Sequence, residues 1–181
     1  MMDWLGPERK SLARLRAGDM EGLRWIYERY SERVLNQAYR ILLSREQAED
    51  VMQDLFIKLP AMISEFRGDS ALGTWLYRVA HNMCLTRLQQ SRNRSRLEEE
   101  NLSGSESSSD AYETSDLLAK ALAVLDPETR SLLWLKEGEG LSLKELSESF
   151  KLPEGTLKSR LSRARDRVRE FLEKEESVGR V

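Results

Sequence analysis

Ser142 to Leu172 reads SLKELSESFKLPEGTLKSRLSRARDRVREFL, a spacing that predicts two short helices joined by a tight turn, the second strongly basic. Ser142 followed three residues later by Glu145 has the form of a capping box, in which hydroxyl and carboxylate each satisfy an amide that the first helical turn leaves orphaned. Leu143, Leu146 and Phe150 then recur at helical spacing. Pro153 suits the first position of the next helix, where an amide would be unbonded anyway, and Gly155 is expected to let the first turn pack closely against its neighbour. Leu157, Leu161, Ala164, Val168 and Leu172 form one apolar stripe.

That stripe dictates what points the other way. Lys158, Ser159, Ser162 and Arg163 fall opposite it, near the helix N-terminus, where a helix-turn-helix presents side chains to base edges. From Lys158 to Arg169 six basic residues stand against the single acid Asp166. Thr156, Arg160, Arg165 and Arg167 are better placed for phosphates than for bases. A solvated basic face needs none of the accompanying caps and turns, whereas a DNA-reading helix needs all of them.

The chain has 181 residues, 40% hydrophobic and 33% charged, with few Gly and Pro; it reads as all-α, with length for one or two small domains. Its net charge of −2 is unusual for a DNA-binding protein. Phosphate neutralisation supplies most non-specific affinity, so such a chain should bind DNA poorly alone and work with a partner. The single Cys84 excludes an internal disulfide, and with the single His81 it cannot make a zinc site unaided. No cofactor is implied. A reducing cytoplasm is the natural setting, since no apolar run approaches a membrane span and the N-terminus lacks a signal-peptide core.

Composition divides the chain into a helical domain over 1–92, a Ser- and Glu-rich segment over 93–115 expected to be a flexible acidic linker, and a second helical domain over 116–181. In the first, a helix through Leu12 and Leu15 stops at Gly18, and Asp19 can cap a long second helix. Ser44 starts a third, with Ala48, Val51, Met52, Leu55, Phe56 and Leu59 as its stripe. Pro60 and the Gly68-Asp69-Ser70 turn interrupt the pattern before a fourth helix, from Thr74 to about Gln90. In the second domain a helix carrying Leu117 to Leu125 ends at Asp126-Pro127, where the next begins.

Two further surfaces stand out. Glu49, Asp50, Gln53 and Asp54 lie opposite the stripe of the third helix, an acidic face that solvation alone could explain. The fourth helix carries Trp75, Tyr77, Arg78, His81, Asn82 and Arg87, behind the loop Phe66-Arg67-Gly68-Asp69-Ser70. Aromatics interleaved with basic and amide groups suit unstacked bases, which need flat platforms and edge hydrogen bonds; Trp75 taken alone reads more simply as core.

In order along the chain, AEDVMQDLFIKL, FRGDSALGTWLYRVAHN, a linker and LPEGTLKSRLSRAR resemble the group IV, or extracytoplasmic-function, sigma factors of bacterial RNA polymerase, over nearly the whole length. The resemblance implies that Asp50, Gln53 and Asp54 dock on the clamp coiled coil of the largest polymerase subunit, through charge-assisted contacts. It implies that Phe66, Arg67, Asp69 and Ser70, with Trp75, Tyr77, Arg78, His81 and Asn82, capture the melted minus-ten strand. The helix from Pro153 to Arg169 would read the minus-thirty-five duplex. Three positions depart from the pattern: Pro60 and Leu72 stand where an aromatic is common, and Gly73 where a basic residue is common.

The linker's roughly 23 residues give a relaxed span of about 25 to 30 Å and a full reach of roughly 75 Å. Two DNA elements more than one turn apart, about 34 Å, would require it to stretch. Its acidity would suit a basic channel of the polymerase, so neutralising Glu98, Glu99, Glu100 and Glu106 should impair initiation. An anti-sigma protein, often membrane-bound in relatives, is a further partner the resemblance suggests. The competing reading is a stand-alone helix-turn-helix regulator with a helical sensor domain. Catalysis is not expected: the chain has no P-loop, HExxH motif or nucleophile elbow.

Overall fold

The computed structural model describes residues 5–101 and 117–178, and every regular element among them is helical. α1 (Leu5–Arg16) ends at Gly18, whose φ of +81° is left-handed. Asp19 then caps α2 (Met20–Leu42), accepting from the Glu21 amide at 3.0 Å. α1 crosses α2 at Gly22, where a Cβ would lie 2.4 Å from the Ser11 carbonyl oxygen and 2.6 Å from the Leu15 nitrogen. Two further ties fix α1: the Tyr30 hydroxyl donates to buried Glu8 at 2.7 Å, and the Arg16 guanidinium donates to the carbonyl of Phe66.

Leu43 closes α2 in the left-handed region at φ 55°, an uncommon conformation for a branched residue, and Ser44 caps α3 (Arg45–Met62). Pro60 does not end this helix, as the pattern predicted; it sits inside the last turn, where its missing amide removes only one bond near an end that frays anyway. A 3-10 turn over Ile63–Glu65 leads to the 66–70 loop and α4.

α4 (Leu72–Asn101) starts two residues before Thr74 and runs past Gln90, so residues 93–101 of the expected linker are helix. Their Ser and Glu content suggested disorder, but Arg, Leu and Glu are also strong helix formers and extend an established helix at no nucleation cost. The rest of the linker reading, including Glu106, lies outside the described residues. Leu72 is fully buried, and a Cβ on Gly73 would lie 2.9 Å from the Tyr30 ring. Both departures from the family pattern are therefore packing positions.

The second half contains α5 (Leu117–Ala123), α6 (Pro127–Glu137, capped by Asp126), α7 (Leu143–Phe150) and α8 (Glu154–Val178). The capping box forms: the Glu145 amide donates to Ser142 Oγ at 3.1 Å, and the Ser142 amide to the Glu145 carboxylate at 2.8 Å. The Ser142 hydroxyl also donates to that carboxylate at 2.7 Å, and it and the Ser142 amide hold the Glu145 carboxyl below the usual carboxylate range. Lys151, at φ 57°, turns the chain into α8. Pro153 stands just before the helix rather than at its first position, and Gly155 does not serve close packing, since a Cβ there would meet nothing within 4 Å. Leu157, Leu161 and Ala164 are buried, with Val168 and Leu172 partly so.

The two halves share a partly polar contact. α6 packs on α2 and α4, and α7 on α4. Arg130 of α6, 6% exposed, donates to the Ile41 carbonyl at 2.8 Å and the Leu125 carbonyl at 2.9 Å. His81 lies 2.8 Å from Ser131 Oγ through Nδ1 and edge-on to Phe150, with ring centroids 4.9 Å apart. Gln37 donates to the Tyr77 carbonyl at 3.0 Å, the Tyr77 hydroxyl donates to Glu139 at 2.7 Å, and Arg33 lies 3.9 Å from the same carboxylate. Burial pushes the His81 imidazole down to about 4, with Arg160 lowering it further and Glu128 opposing.

Gly22→Ala and Gly155→Ala should therefore diverge. The first should lower stability by about 2 kcal/mol or more through a clash with backbone, and the second should raise it by up to about 1 kcal/mol, both measured by urea unfolding.

His81 is the only histidine, so its ring protons should show a titration midpoint near pH 4 by NMR. Because the unfolded chain takes up this proton more readily, the stability His81 contributes is complete above pH 6.5 and declines as pH falls toward about 4. A midpoint near 6.5 would mean that His81 is not buried in the folded protein.

Candidate nucleic-acid and polymerase interface

The stripe on α8 buries one side of that helix and leaves Lys158, Ser159, Ser162 and Arg163 exposed on the other. They form one row, since 158 and 162, like 159 and 163, are one turn apart. Their local bonds leave the charged ends outward: Ser159 Oγ donates to the Thr156 carbonyl at 3.0 Å, and Arg163 reaches only the Ser159 carbonyl, at 3.4 Å. Thr156 and Arg167 are exposed beside the row.

The phosphate candidates divide. Arg160 does not face outward: its guanidinium bonds Thr129 Oγ1 at 2.6 Å, Glu128 at 2.8 Å and Asp126 at 3.1 Å, bracing the start of α6 against α8. Burial alone would raise the Asp126 carboxyl, but bonds from Thr129 and the Arg160 charge outweigh it and hold it low. Arg165 is exposed, and its Nη2 and Nε both donate to one carboxylate oxygen of Glu137, at 2.8 and 3.0 Å. A contact of this kind, exposed on both sides, is weak enough to be exchanged for a phosphate.

On α3, Gln53 and Asp54 are exposed and Asp50 half-buried. Asp50 accepts from Arg87 of α4, and Asp54 lies 3.6 Å from Lys58. Beside Gln53 opens an apolar hollow of about 500 Å³ lined by Met20, Leu23, Tyr27, Phe56, Ile57 and Pro60. Ile57 is 74% exposed there. Reading α3 for its buried stripe passed over this residue; a large aliphatic on the polar face, one turn beyond Gln53, was the available signal.

The strand-capturing candidates do not share one surface. Phe66 and Trp75 are buried and packed together, with ring centroids 5.5 Å apart. With Arg67, Asp69, Ser70 and Arg78 they line a cavity of about 550 Å³, which Glu148, Ser149 and Lys151 of the second half close from the other side. Tyr77 and His81, each 3% exposed, point instead into the contact with α6 and α7, and Asn82 is exposed one turn beyond Arg78. Their polar partners Arg33, Gln37, Ser131 and Glu139 had no local signature, since each is ordinary within its own helix or turn.

Among the described residues no helix is long and apolar enough to cross a membrane. Cys84 is buried in an apolar cluster with Ala38, Ile41 and Val51, and burial raises its thiol to about 12.

Residues 26–94 match the family model of Sigma-70 region 2, and residues 115–168 that of Sigma-70, region 4. The extracytoplasmic-function (ECF) RNA polymerase sigma factor SigM of Mycobacterium tuberculosis is 30% identical over 171 residues, covering 92% of this chain and 87% of the relative. SigW of Bacillus subtilis is 28% identical over 180 residues, covering 91% and 96%. Among solved structures, CnrH in complex with the cytosolic domain of CnrY aligns with a TM-score of 0.70 at 21% identity, covering 93% of this chain and 98% of that one. The sigma factor RpoE in complex with the anti-sigma factor NepR from Bartonella quintana gives 0.68 at 24%, covering 83% and 96%. The region 2 match thus falls on α2 to α4 and the region 4 match on α5 to α8, and the chain belongs to the extracytoplasmic-function sigma factors of bacterial RNA polymerase.

Proposed function

We propose that Asp50, Gln53 and Asp54, with the apolar hollow around Ile57, form the face on which this sigma factor holds the clamp coiled coil of core polymerase. Residues 1–92 would then serve polymerase docking and minus-ten melting, and 116–181 minus-thirty-five recognition. The observation that carries the docking face is the juxtaposition on α3: the exposed Gln53 and Asp54 and the half-buried Asp50 beside an aliphatic side chain left 74% exposed. An apolar anchor rimmed by charge is the usual anatomy of a protein interface, with the charges setting register.

At the other end, Lys158, Ser159, Ser162 and Arg163 read bases of the minus-thirty-five duplex, while Thr156, Arg165 and Arg167 hold phosphates. Arg160 contributes by bracing α8 on α6. The 66–70 loop and the α4 face with Trp75, Arg78 and Asn82 take the melted minus-ten strand, the loop cavity receiving an unstacked base. Tyr77 and His81 join that face once the C-terminal helices move off it. The factor acts by positioning, without catalysis of its own, in the cytoplasm where its polymerase works. An anti-sigma protein that covers these faces is the expected antagonist; two structurally similar chains were solved with partners, one of them named an anti-sigma factor.

Asp50→Arg combined with Asp54→Arg should weaken binding to core polymerase at least a hundredfold in a fluorescence anisotropy titration. Ile57→Ser should weaken it several-fold without loss of thermal stability. Unchanged affinity in both would remove α3 from the docking face.

Arg163→Ala should leave core binding intact and cost about 1–3 kcal/mol of discrimination at one minus-thirty-five base, measured by transcription from promoter variants with reconstituted holoenzyme. Tight binding to a duplex operator with no affinity for core polymerase would instead identify a stand-alone regulator.

A further inference from the structure

The 66–70 loop is a partition between two hollows. Phe66, Arg67, Asp69 and Ser70 line both the cavity toward Trp75 and Arg78 and a second hollow, of about 650 Å³, between the loop and α1. The α1 wall of the second includes Glu8, Arg9, Leu12 and Arg16. No residue of the C-terminal half lines it.

Three arginines, Arg9, Arg16 and Arg67, line this hollow against two acids, Glu8 and Asp69. One of the acids is already engaged: Glu8 is buried, and its carboxylate accepts the Tyr30 hydroxyl at 2.7 Å. Arg16 is engaged too, its guanidinium donating to the Phe66 carbonyl and so fixing the loop relative to α1. Arg9 and Arg67 are exposed and make no ion pair among the described residues. Two such arginines on opposite walls of one hollow suit a phosphate, whose oxygens accept the forked bonds of a guanidinium. Between the shared loop residues, Gly68 is exposed and left-handed at φ +83°, and a Cβ on it would meet nothing within 4 Å. The loop there is bare backbone, over which a ligand can pass closely.

Building on the assignment of the Trp75-side cavity to an unstacked base, made above, we propose that the α1-side hollow is a second subsite for the same strand. It holds the sugar-phosphate of an adjoining nucleotide, with Arg9 and Arg67 on the phosphate and Arg16 fixing the partition between the two subsites. A base turned into the first cavity carries its backbone across the loop, because the loop lies between the hollows. The adjoining phosphate then meets Arg9 and Arg67, a contact that positions the strand without reading its sequence. Turning a base out costs stacking energy, and a charge contact made only along this path helps to hold it out. Arg9 stands before residue 26, where the region 2 match begins, so the contact comes from a helix outside that match.

Holoenzyme reconstituted with Arg9→Ala tests this on a promoter fork whose minus-ten strand is unpaired. Because Arg9 is exposed, helical circular dichroism and core affinity should not change. Fork affinity should fall about five- to tenfold, the scale of one charge-assisted bond, and the salt slope of binding should become shallower by about 1. Lys10→Ala removes the same charge one residue away, from a side chain that lines a different hollow, and should change affinity by less than about twofold. A fork carrying one neutral methylphosphonate linkage, moved along the unpaired strand, locates the contact. At one linkage beside the flipped base the parent and Arg9→Ala should bind alike, since the charge that distinguished them is gone.

Equal effects of Arg9→Ala and Lys10→Ala would overturn the subsite, as would a gap between parent and Arg9→Ala that persists at every linkage. The parent's preference for the fork over the closed duplex separates the two layers. If the parent keeps that preference while Arg9→Ala behaves like Lys10→Ala, only the second subsite fails; if the parent has no such preference, the assignment of the loop to the unpaired strand fails beneath it.

Discussion

The buried guanidinium of Arg130 is the contact on which the relation between the two halves depends. A helix leaves its last carbonyls without intrahelical partners, and α2 ends abruptly at a left-handed Leu43. Arg130 reaches from α6 to the Ile41 carbonyl in that last turn while also holding the Leu125 carbonyl before its own helix. A cation at a helix C-terminus meets the negative end of the helix dipole, and in a dry setting a charge is tolerated only when bonded in this way. The same few ångströms of α2 that launch α3 therefore also receive the C-terminal half. Arg40 strengthens the junction, its guanidinium lying 5.2 Å from the Trp134 ring centroid of α6.

Charge is arranged to suit shared labour. The net charge of −2 leaves little general attraction for DNA, and the structure neutralises part of what basicity there is. Arg160 is consumed in bracing α6, and Arg165 is matched by Glu137. Lys158, Arg163, Arg167 and Arg169 remain outward on α8, the first two in the row proposed to read bases. So small a net charge gives little non-specific attraction to phosphate, which leaves selectivity to depend on particular side chains.

Much of the local architecture was legible in the sequence because its signals are local. Asp19, Ser44, Asp126 and Ser142 each cap the helix they were expected to start, and the stripe on α8 faces inward as its spacing required. The sequence was silent where a residue's surroundings are set by distant partners. Arg160 reads as a phosphate contact until Asp126, Glu128 and Thr129, some thirty positions earlier, are seen to surround it. Tyr77 and His81 share a helix with Trp75 and Arg78 but not a direction, and only the placement of α6 and α7 decides that they are buried. Gly155 looked like a packing glycine, whereas the close crossing occurs at Gly22. Composition misjudged 93–101 because Glu and Ser carry opposite tendencies when they follow an established helix.

The ties of α1 bear on where the working unit begins. The region 2 match starts at residue 26, yet Glu8 bonds Tyr30, whose ring packs against Gly73, and Arg16 holds the carbonyl of Phe66 at the base of the 66–70 loop. A fragment trimmed to that boundary would keep every residue matched to region 2 and lose the helix that ties down the 66–70 loop. The family match and the packed unit have different borders in this protein, and the second takes in α1.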